Sequence, residues 1–335
     1  MRIGVLSQNL GELTESPFLN ETSILSLTPH LYIEMTQEDG RRQDGTPLVE
    51  PSLLQDYTHL TSVSLNGNQQ THQNILMNVY ARQGQQLSVV AEGHEIIAPK
   101  DSKLRLGLQT IAKALHTGYG YSKGMVYVKI KSPTKSLLFI NMHLPVKTKA
   151  VNGVLKDETL GLDVRRAAFF ELLEKLSKSG ILDDEPAVFV AGDLNFRMDK
   201  YGRNQLNTII QNEPNRILNL KELWQSPGEK KLTCKFTKKN AACRLRNVPE
   251  HNLENFLNNI QEDCGNSMRT PSRCDRFLVS DKPLIRVRLN TVKYLIESSD
   301  HNAILCCYDL IIKPPPNNSR TLKRIPNGRN RSRTV

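Results

Sequence analysis

Phe189-Val190-Ala191-Gly192-Asp193-Leu194-Asn195-Phe196-Arg197 is an apolar run that passes directly into a polar cluster. Its first residues read as a strand, because short stretches rich in aromatic and β-branched side chains suit a pleated sheet. On an extended chain residues two apart share a face, so Asp193 and Asn195 are expected to point the same way at the strand's end. A carboxylate and an amide held together can take a proton from water and orient the nucleophile that results. The plainer reading of the same residues is a Gly-Asp-x-Asn turn, common where strands end.

The pattern recurs. In Leu138-Phe139-Ile140-Asn141-Met142-His143 the last polar pair again shares a strand face. Ser299-Asp300-His301 immediately precedes a strand at Ala303–Leu310, and Asp275 lies beside another in Pro271-Ser272-Arg273-Cys274-Asp275-Arg276-Phe277-Leu278. An Asp bonded to one imidazole nitrogen fixes the tautomer and favours the charged ring. Toward the N-terminus, Ile3–Leu6 leads into Gln8 and Asn9, and Leu31–Met35 leads into Thr36-Gln37-Glu38-Asp39. Magnesium prefers hard oxygen ligands, one or two carboxylates with water and substrate phosphate. Glu38 and Asn9 are of that type. Each residue alone reads as a solvated loop position or a core histidine; their recurrence at separate strand ends argues for one converging site.

Further strand candidates are Ile75–Tyr80, Leu87–Val90, Met125–Ile130, Ala187–Ala191, Arg276–Val279 and Val287–Ile296. Val164, Ala168, Phe169, Leu172, Leu173 and Leu176 repeat at three- and four-residue spacing, an amphipathic helix stopped by Gly180. A second helix is expected around Leu104–Leu115. Many strands with few helices suggest two packed sheets with helices outside. No Pro/Gly/Ser-rich linker divides residues 1–312, which read as one domain, and 238–268 reads as a long surface loop.

The net charge of +11 on 335 residues calls for an anionic partner: nucleic acid, a membrane surface or a phosphorylated small molecule. More than half of that excess lies in the basic tail 313–335, where Arg320, Lys323, Arg324, Arg329, Arg331 and Arg333 have no acidic neighbour. The tail is expected to be disordered and to draw the protein to an anionic leaflet; a solvated tail or a localisation signal are the other readings. No signal-peptide core and no membrane-spanning run is present, so a soluble protein in a reducing compartment is expected. The six cysteines fit no disulfide framework, and Cys234, Cys243, Cys264 and Cys274 lack the short knuckle spacing of zinc sites.

Asn9, Thr36-Gln37-Glu38, Asn141-x-His143, Gly192-Asp193-Leu194-Asn195 and Ser299-Asp300-His301 occur in the order found in the endonuclease/exonuclease/phosphatase superfamily. Within it, residues 192–197 and 271–278 resemble the two signature motifs of inositol polyphosphate 5-phosphatases. The resemblance covers about residues 3–310. It implies an α/β, DNase I-like fold, a four-layer sandwich of two packed mixed β-sheets flanked by helices, with the site at one edge. It implies Mg²⁺ as cofactor, held by Glu38 with Asn9 and Asp300 close by. Asp193 would activate water, Asn195 would position it, and His301, oriented by Asp275, would stabilise phosphoryl charge together with His143.

Substrate contacts carried over by the resemblance are Lys123, Lys235, Arg269, Arg276 and Asn141. Ser122-Lys123-Gly124 is similar to an Asn-Lys-Gly motif with its asparagine changed, and Lys235 lies in a segment that lacks the family's central tyrosine. Ser267 stands where a lysine is usual and Arg273 where a tryptophan is usual, which leaves open the preference among 4,5- and 3,4,5-phosphorylated headgroups and soluble inositol phosphates. The expected partners are that substrate and an anionic membrane surface. No nucleic acid is expected, since the chain has one Trp and 6% aromatics. A monomer is expected, cytoplasmic and peripheral at membranes, or a secreted effector acting in another cell's cytoplasm. The alternatives are a Mg²⁺-dependent nuclease of the same superfamily and a phosphoinositide-binding module without catalysis.

Overall fold

Apolar runs rich in β-branched and aromatic residues, most of them buried on both faces, set the strands. The computed structural model describes residues 1–13, 19–40, 46–65, 74–97, 123–145, 158–196, 206, 217–222, 274–280, 284–293, 295, 299, 301 and 303–311. Its strands are β1 (Arg2–Leu13), β2 (Leu31–Asp39), β3 (Tyr57–Leu65), β4 (Asn74–Arg82), β5 (Ser88–Ile96), β6 (Gly124–Lys131), β7 (Ser136–His143), β8 (Ala187–Asp193), β9 (Leu220–Glu222), β10 (Asp275–Ser280), β11 (Leu284–Lys293) and β12 (Ala303–Ile311). A helix, α1, spans Glu158–Lys178.

Two six-stranded sheets result, in the orders β11-β12-β1-β2-β4-β3 and β5-β6-β7-β8-β10-β9. Each holds one parallel pair, β1 with β2 and β7 with β8, among otherwise antiparallel neighbours. The sheets pack face to face. Ile3, Val5, Ile33, Met35, Met77 and Tyr308 of the first meet Val128, Phe139, Phe189 and Phe277 of the second in one buried core. On the outer face of the second sheet, Leu138, Ile140 and Val190 pack against Phe169, Leu172, Leu173 and Leu176 of α1. Each such buried Leu or Phe contributes about 1.5–3 kcal/mol. The outer face of the first sheet buries Leu6, Tyr32 and Leu305 under Leu19, Ile24, Val49 and Leu54. These come from loops with 3-10 turns at Leu25–Leu27 and Pro51–Leu54.

All ten expected strands are present. β3 and β9 were not anticipated: β3 is largely half-exposed and polar, and β9 is three residues long. The helix stop at Gly180 holds in detail. Gly180 adopts φ +76. Its N–H donates to Ser177 O and that of Ile181 to Leu176 O, both at 3.1 Å, the paired bonds that end a helix through a left-handed residue. The expected helix near 104–115, the 238–268 loop and the tail 313–335 lie outside the described residues. Among the described residues no helix is long and apolar enough to cross a membrane.

The start of β1 is tied to the turn before β2 by a reciprocal pair of bonds: His30 N–H donates to Arg2 O, and Arg2 N–H donates to His30 Nδ1, each at 2.9 Å. Burial, then the N-terminal ammonium and the guanidinium groups of Arg2 and Arg82, hold the His30 pKa below its ordinary value. An unfolded histidine titrates near about 6.5, so below that pH the unfolded chain binds a proton that folded His30 resists, and stability falls as pH drops. The wild-type melting temperature should therefore decrease from about pH 7.5 to about pH 5.5 more steeply than that of His30→Asn, which keeps an acceptor and does not titrate. Parallel curves for the two proteins would remove His30 from this dependence.

Candidate active site

The inner faces that build the core turn polar at one end. On β8 the inward series Phe189, Ala191 continues to Asp193; on β7 Leu137 and Phe139 continue to Asn141 and His143. On β1 Ile3 and Val5 continue to Ser7 and Asn9, and on β2 Ile33 and Met35 continue to Gln37. β10 enters from the same edge with Asp275 ahead of Phe277. Register sets Asp193 between His143 on one neighbouring strand and Asp275 on the other.

Asp193 has no solvent exposure. Its Oδ2 accepts from Asn9 Nδ2 at 3.1 Å, a bond that crosses from one sheet to the other. Its Oδ1 accepts from the Asn195 N–H at 3.1 Å. His143 Nε2 lies 3.5 Å and His301 Nε2 3.8 Å from Oδ2. Behind His301, Nδ1 meets Asp275 Oδ2 at 2.7 Å. Ser299 ties this segment to β1, donating to Asn9 O at 2.6 Å while its Oγ accepts from the His301 N–H at 3.1 Å.

The strand reading and the turn reading of residues 192–195 both hold. Asp193 ends β8, and its side chain closes an Asx turn onto Asn195. Asn195 is therefore not placed by strand alternation: it sits at φ +52, with Nδ2 donating to Leu144 O at 2.9 Å. Its Oδ1 is buried without a hydrogen-bond partner. Gly192, at φ +123, allows the close pairing with β7, since a Cβ there would lie 2.1 Å from Met142 O.

Glu38 also takes a left-handed backbone, φ +49, at a break in the β2–β4 register between Thr36 and Asp39. Non-glycine residues rarely adopt it and are held there by their surroundings. The conformation carries Oε1 to 3.5 Å from His143 Nε2 and 3.8 Å from Lys123 Nζ. Lys123 Nζ is 3.1 Å from His143 Nδ1 and 2.5 Å from Nε2. Burial, and next the Lys123 ammonium, push the His143 pKa down, while Asp193 and Glu38 oppose them. Burial and the ammonium thus both favour the neutral ring.

Asn9, Glu38, Asp193, Asn195, His143, His301, Asp275 and Lys123 are brought to this one edge. The hard oxygens of Glu38, Asn9, Asp193 and the unpartnered Asn195 Oδ1 suit a Mg²⁺ ion and its water. Ligand atoms of Asp193, Asp275 and His301 also lie within 4.8 Å of one another. The short His301–Asp275 bond, however, makes that pair an oriented imidazole.

Asp300, Lys235 and Arg269 lie outside the described residues, as do Cys234, Cys243 and Cys264. Two expected substrate contacts have hydrogen-bond partners within the protein. Arg276 follows Asp275 and so points to the opposite face, where its buried guanidinium donates to Glu222 at 3.1 and 3.3 Å and to Phe196 O at 3.2 Å. Asn141 is fully buried, with both amide hydrogens on backbone carbonyls of the other sheet. Gln37 and Ser299 were not singled out. Gln37's parity with Met35 was the available signal.

A sequence profile for Endonuclease/Exonuclease/phosphatase family 2 matches residues 48–306. Among solved structures the chain is similar to the inositol polyphosphate 5-phosphatase domain of SPsynaptojanin in complex with inositol (1,4)-bisphosphate and calcium ion. Identity there is 16%, over 92% of this chain and 83% of that one, with a TM-score of 0.56. It is also similar to the human Nocturnin catalytic domain with bound sulfate, 14% identical over 92% and 95% of the chains, TM-score 0.49. Truncated Caenorhabditis elegans TDP2 is 16% identical over 92% and 97%, TM-score 0.47. At these identities the likeness is one of fold. No curated protein matches the sequence.

Removing one partner of a buried ion pair strands the other charge, at about 3–5 kcal/mol. Arg276→Met should lower unfolding free energy by about that amount, read by urea titration. An unchanged titration midpoint would overturn the structural role of Arg276.

Proposed function

Because the chain belongs to the endonuclease/exonuclease/phosphatase family 2, we propose that it is a Mg²⁺-dependent phosphomonoesterase that releases the 5-phosphate of phosphoinositides or soluble inositol polyphosphates. The observation that carries this reading is the buried Asp193 carboxyl, flanked by two imidazoles and bonded across the sheets to Asn9.

In hydrolysis a water oxygen forms a bond to phosphorus while the ester P–O bond breaks, and in the net reaction a proton lost by the water ends on the departing inositol oxygen. Asp193 is the acceptor for that proton, its carboxylate held in place by Asn9 Nδ2 on Oδ2 and the Asn195 N–H on Oδ1. The buried Asn195 Oδ1 is an acceptor that orients the water. His301, with Asp275 on Nδ1, is set to donate from Nε2 to a phosphoryl oxygen, and the carboxylate stabilises the charged ring. Lys123 adds positive charge beside it. A magnesium ion held by Glu38 and Asn9 would neutralise charge on the phosphoryl oxygens. Positioning and neutralisation supply most of what phosphoryl transfer needs.

The substrate class rests on the two motifs at residues 192–197 and 271–278 and on the inositol bisphosphate bound by the SPsynaptojanin domain. In this reading Lys123, Lys235 and Arg269 are the residues that contact the ring phosphates, as the motif resemblance implies. The basic tail holds the protein, cytoplasmic and peripheral, at an anionic membrane.

Phosphate release should be measured on a panel of inositol phosphates and phosphoinositides with EDTA or Mg²⁺. Activity should require Mg²⁺ and yield 5-dephosphorylated products. Asp193→Asn keeps the turn acceptor but loses the base, and should cost about 10²–10⁴ in kcat with the fold intact. Cleavage of nucleic acid with no phosphate release from the panel would replace this reading with a nuclease.

Truncation after Lys313 should reduce turnover in anionic liposomes, most at low salt, and leave a soluble inositol phosphate unaffected. Equal liposome turnover across salt concentrations would sink the tether.

A further inference from the structure

Asn141 is fully buried on the inner face of β7, two residues before His143. All three of its side-chain hydrogen bonds cross between the sheets. Nδ2 donates to Thr36 O of β2 and to Leu76 O of β4, each at 2.9 Å. Oδ1 accepts from Gln37 Nε2 at 2.6 Å. Thr36 and Leu76 are register partners, and the β2–β4 register breaks immediately beyond them. The bonds from Asn141 therefore land at the irregularity that turns Glu38 into its left-handed conformation and into reach of His143.

The neighbouring strand is shaped around the same group. A Cβ at Gly192 would lie 2.8 Å from Asn141 Oδ1, so glycine leaves room for the amide head. A substrate ligand needs exposure and a donor to offer, whereas both N–H donors of Asn141 are engaged by main-chain carbonyls. We propose that Asn141 is a positioning residue, a latch with Gln37 that fixes the spacing of the two sheets at the site edge and thereby places Glu38 against His143 and Asp193. This role rests on the hydrolase reading above.

The test compares wild type with Asn141→Ser, Gln37→Met and the double variant, each confirmed folded by its melt. Hydrolysis of a soluble inositol phosphate and Mn²⁺ affinity by electron paramagnetic resonance are measured on each. Asn141→Ser should lower kcat about 10- to 100-fold with KM within about twofold, because displacement of a catalytic group falls on the chemical step. Mn²⁺ affinity should weaken about tenfold as Glu38 loses its support. Gln37→Met should act in the same direction more mildly, and the double variant should be no worse than Asn141→Ser, since the two share one bond. If Asn141→Ser does not fold, Gln37→Met, which keeps the side-chain length, carries the test. A raised KM with unchanged kcat and Mn²⁺ affinity would make Asn141 a substrate ligand and overturn the latch, as would no change in any of the three. If wild type releases no phosphate from any inositol phosphate, the hydrolase reading falls, and Mn²⁺ affinity alone decides the latch.

Discussion

A carboxyl group without solvent exposure sits at the seam of two sheets, and its burial sets conditions on everything near it. Taking an ionised carboxylate out of water is prohibitive unless hydrogen bonds and opposite charge replace the lost solvation. Asp193 obtains them from both sheets: Asn9 from β1, the Asn195 main chain, and the rings of His143 and His301. Because one donor belongs to the opposite sheet, the sheets must close to hydrogen-bonding distance at this edge. The Gln37–Asn141 bond and the two carbonyls taken by Asn141 hold a second crossing nearby.

Below the polar edge lies a column of aromatic rings carried by strands that meet at the site. Phe139 of β7 stacks on Phe189 of β8 at 5.0 Å, Phe189 on Tyr308 of β12 at 5.7 Å, and Tyr308 contacts Phe277 of β10 at 5.3 Å. Phe139 and Phe189 each precede a site residue, His143 and Asp193, by two strand repeats, and Phe277 follows Asp275 by one. Close-packed rings resist small displacements, so they transmit a fixed spacing to the polar groups above them. Precise placement of a catalytic group depends on such support more than on the group itself.

Much of this was legible in the sequence because it follows from strand parity. Asn141, His143, Asp193 and Asp275 are the polar continuation of inward apolar series, and period two alone puts them on one face. The same rule would have assigned Arg276 to the helix side, one residue out of phase with Asp275; charge and motif membership outweighed it. Glu38 and Asn195 escape the rule altogether, because each depends on a left-handed residue that no apolar pattern announces. Asn141 was legible in place and illegible in role, since a polar residue at a strand end looks alike whether it meets a substrate or a carbonyl of the facing sheet. β3 was missed because an edge strand half open to solvent lacks the apolar series by which its neighbours are recognised.

Topology gathers the acids of the site at one edge. β1/β2 and β7/β8 are the parallel pairs among the described strands, and the site residues of all four leave from their carboxyl ends, while β10 and β12 start at that edge. Six chain segments thus deliver polar groups to one place, among them the carboxyls of Asp193, Asp275 and Glu38. A phosphate ester entering there meets three acids. Among the described residues His301 is paired with Asp275, and the Lys123 ammonium faces Glu38. These two pairs leave, among the described residues, the buried Asp193 carboxyl beside an incoming phosphate dianion in a poorly solvated edge, where like charges repel most strongly. In the proposed reaction a divalent cation at Glu38 and Asn9 would offset that repulsion.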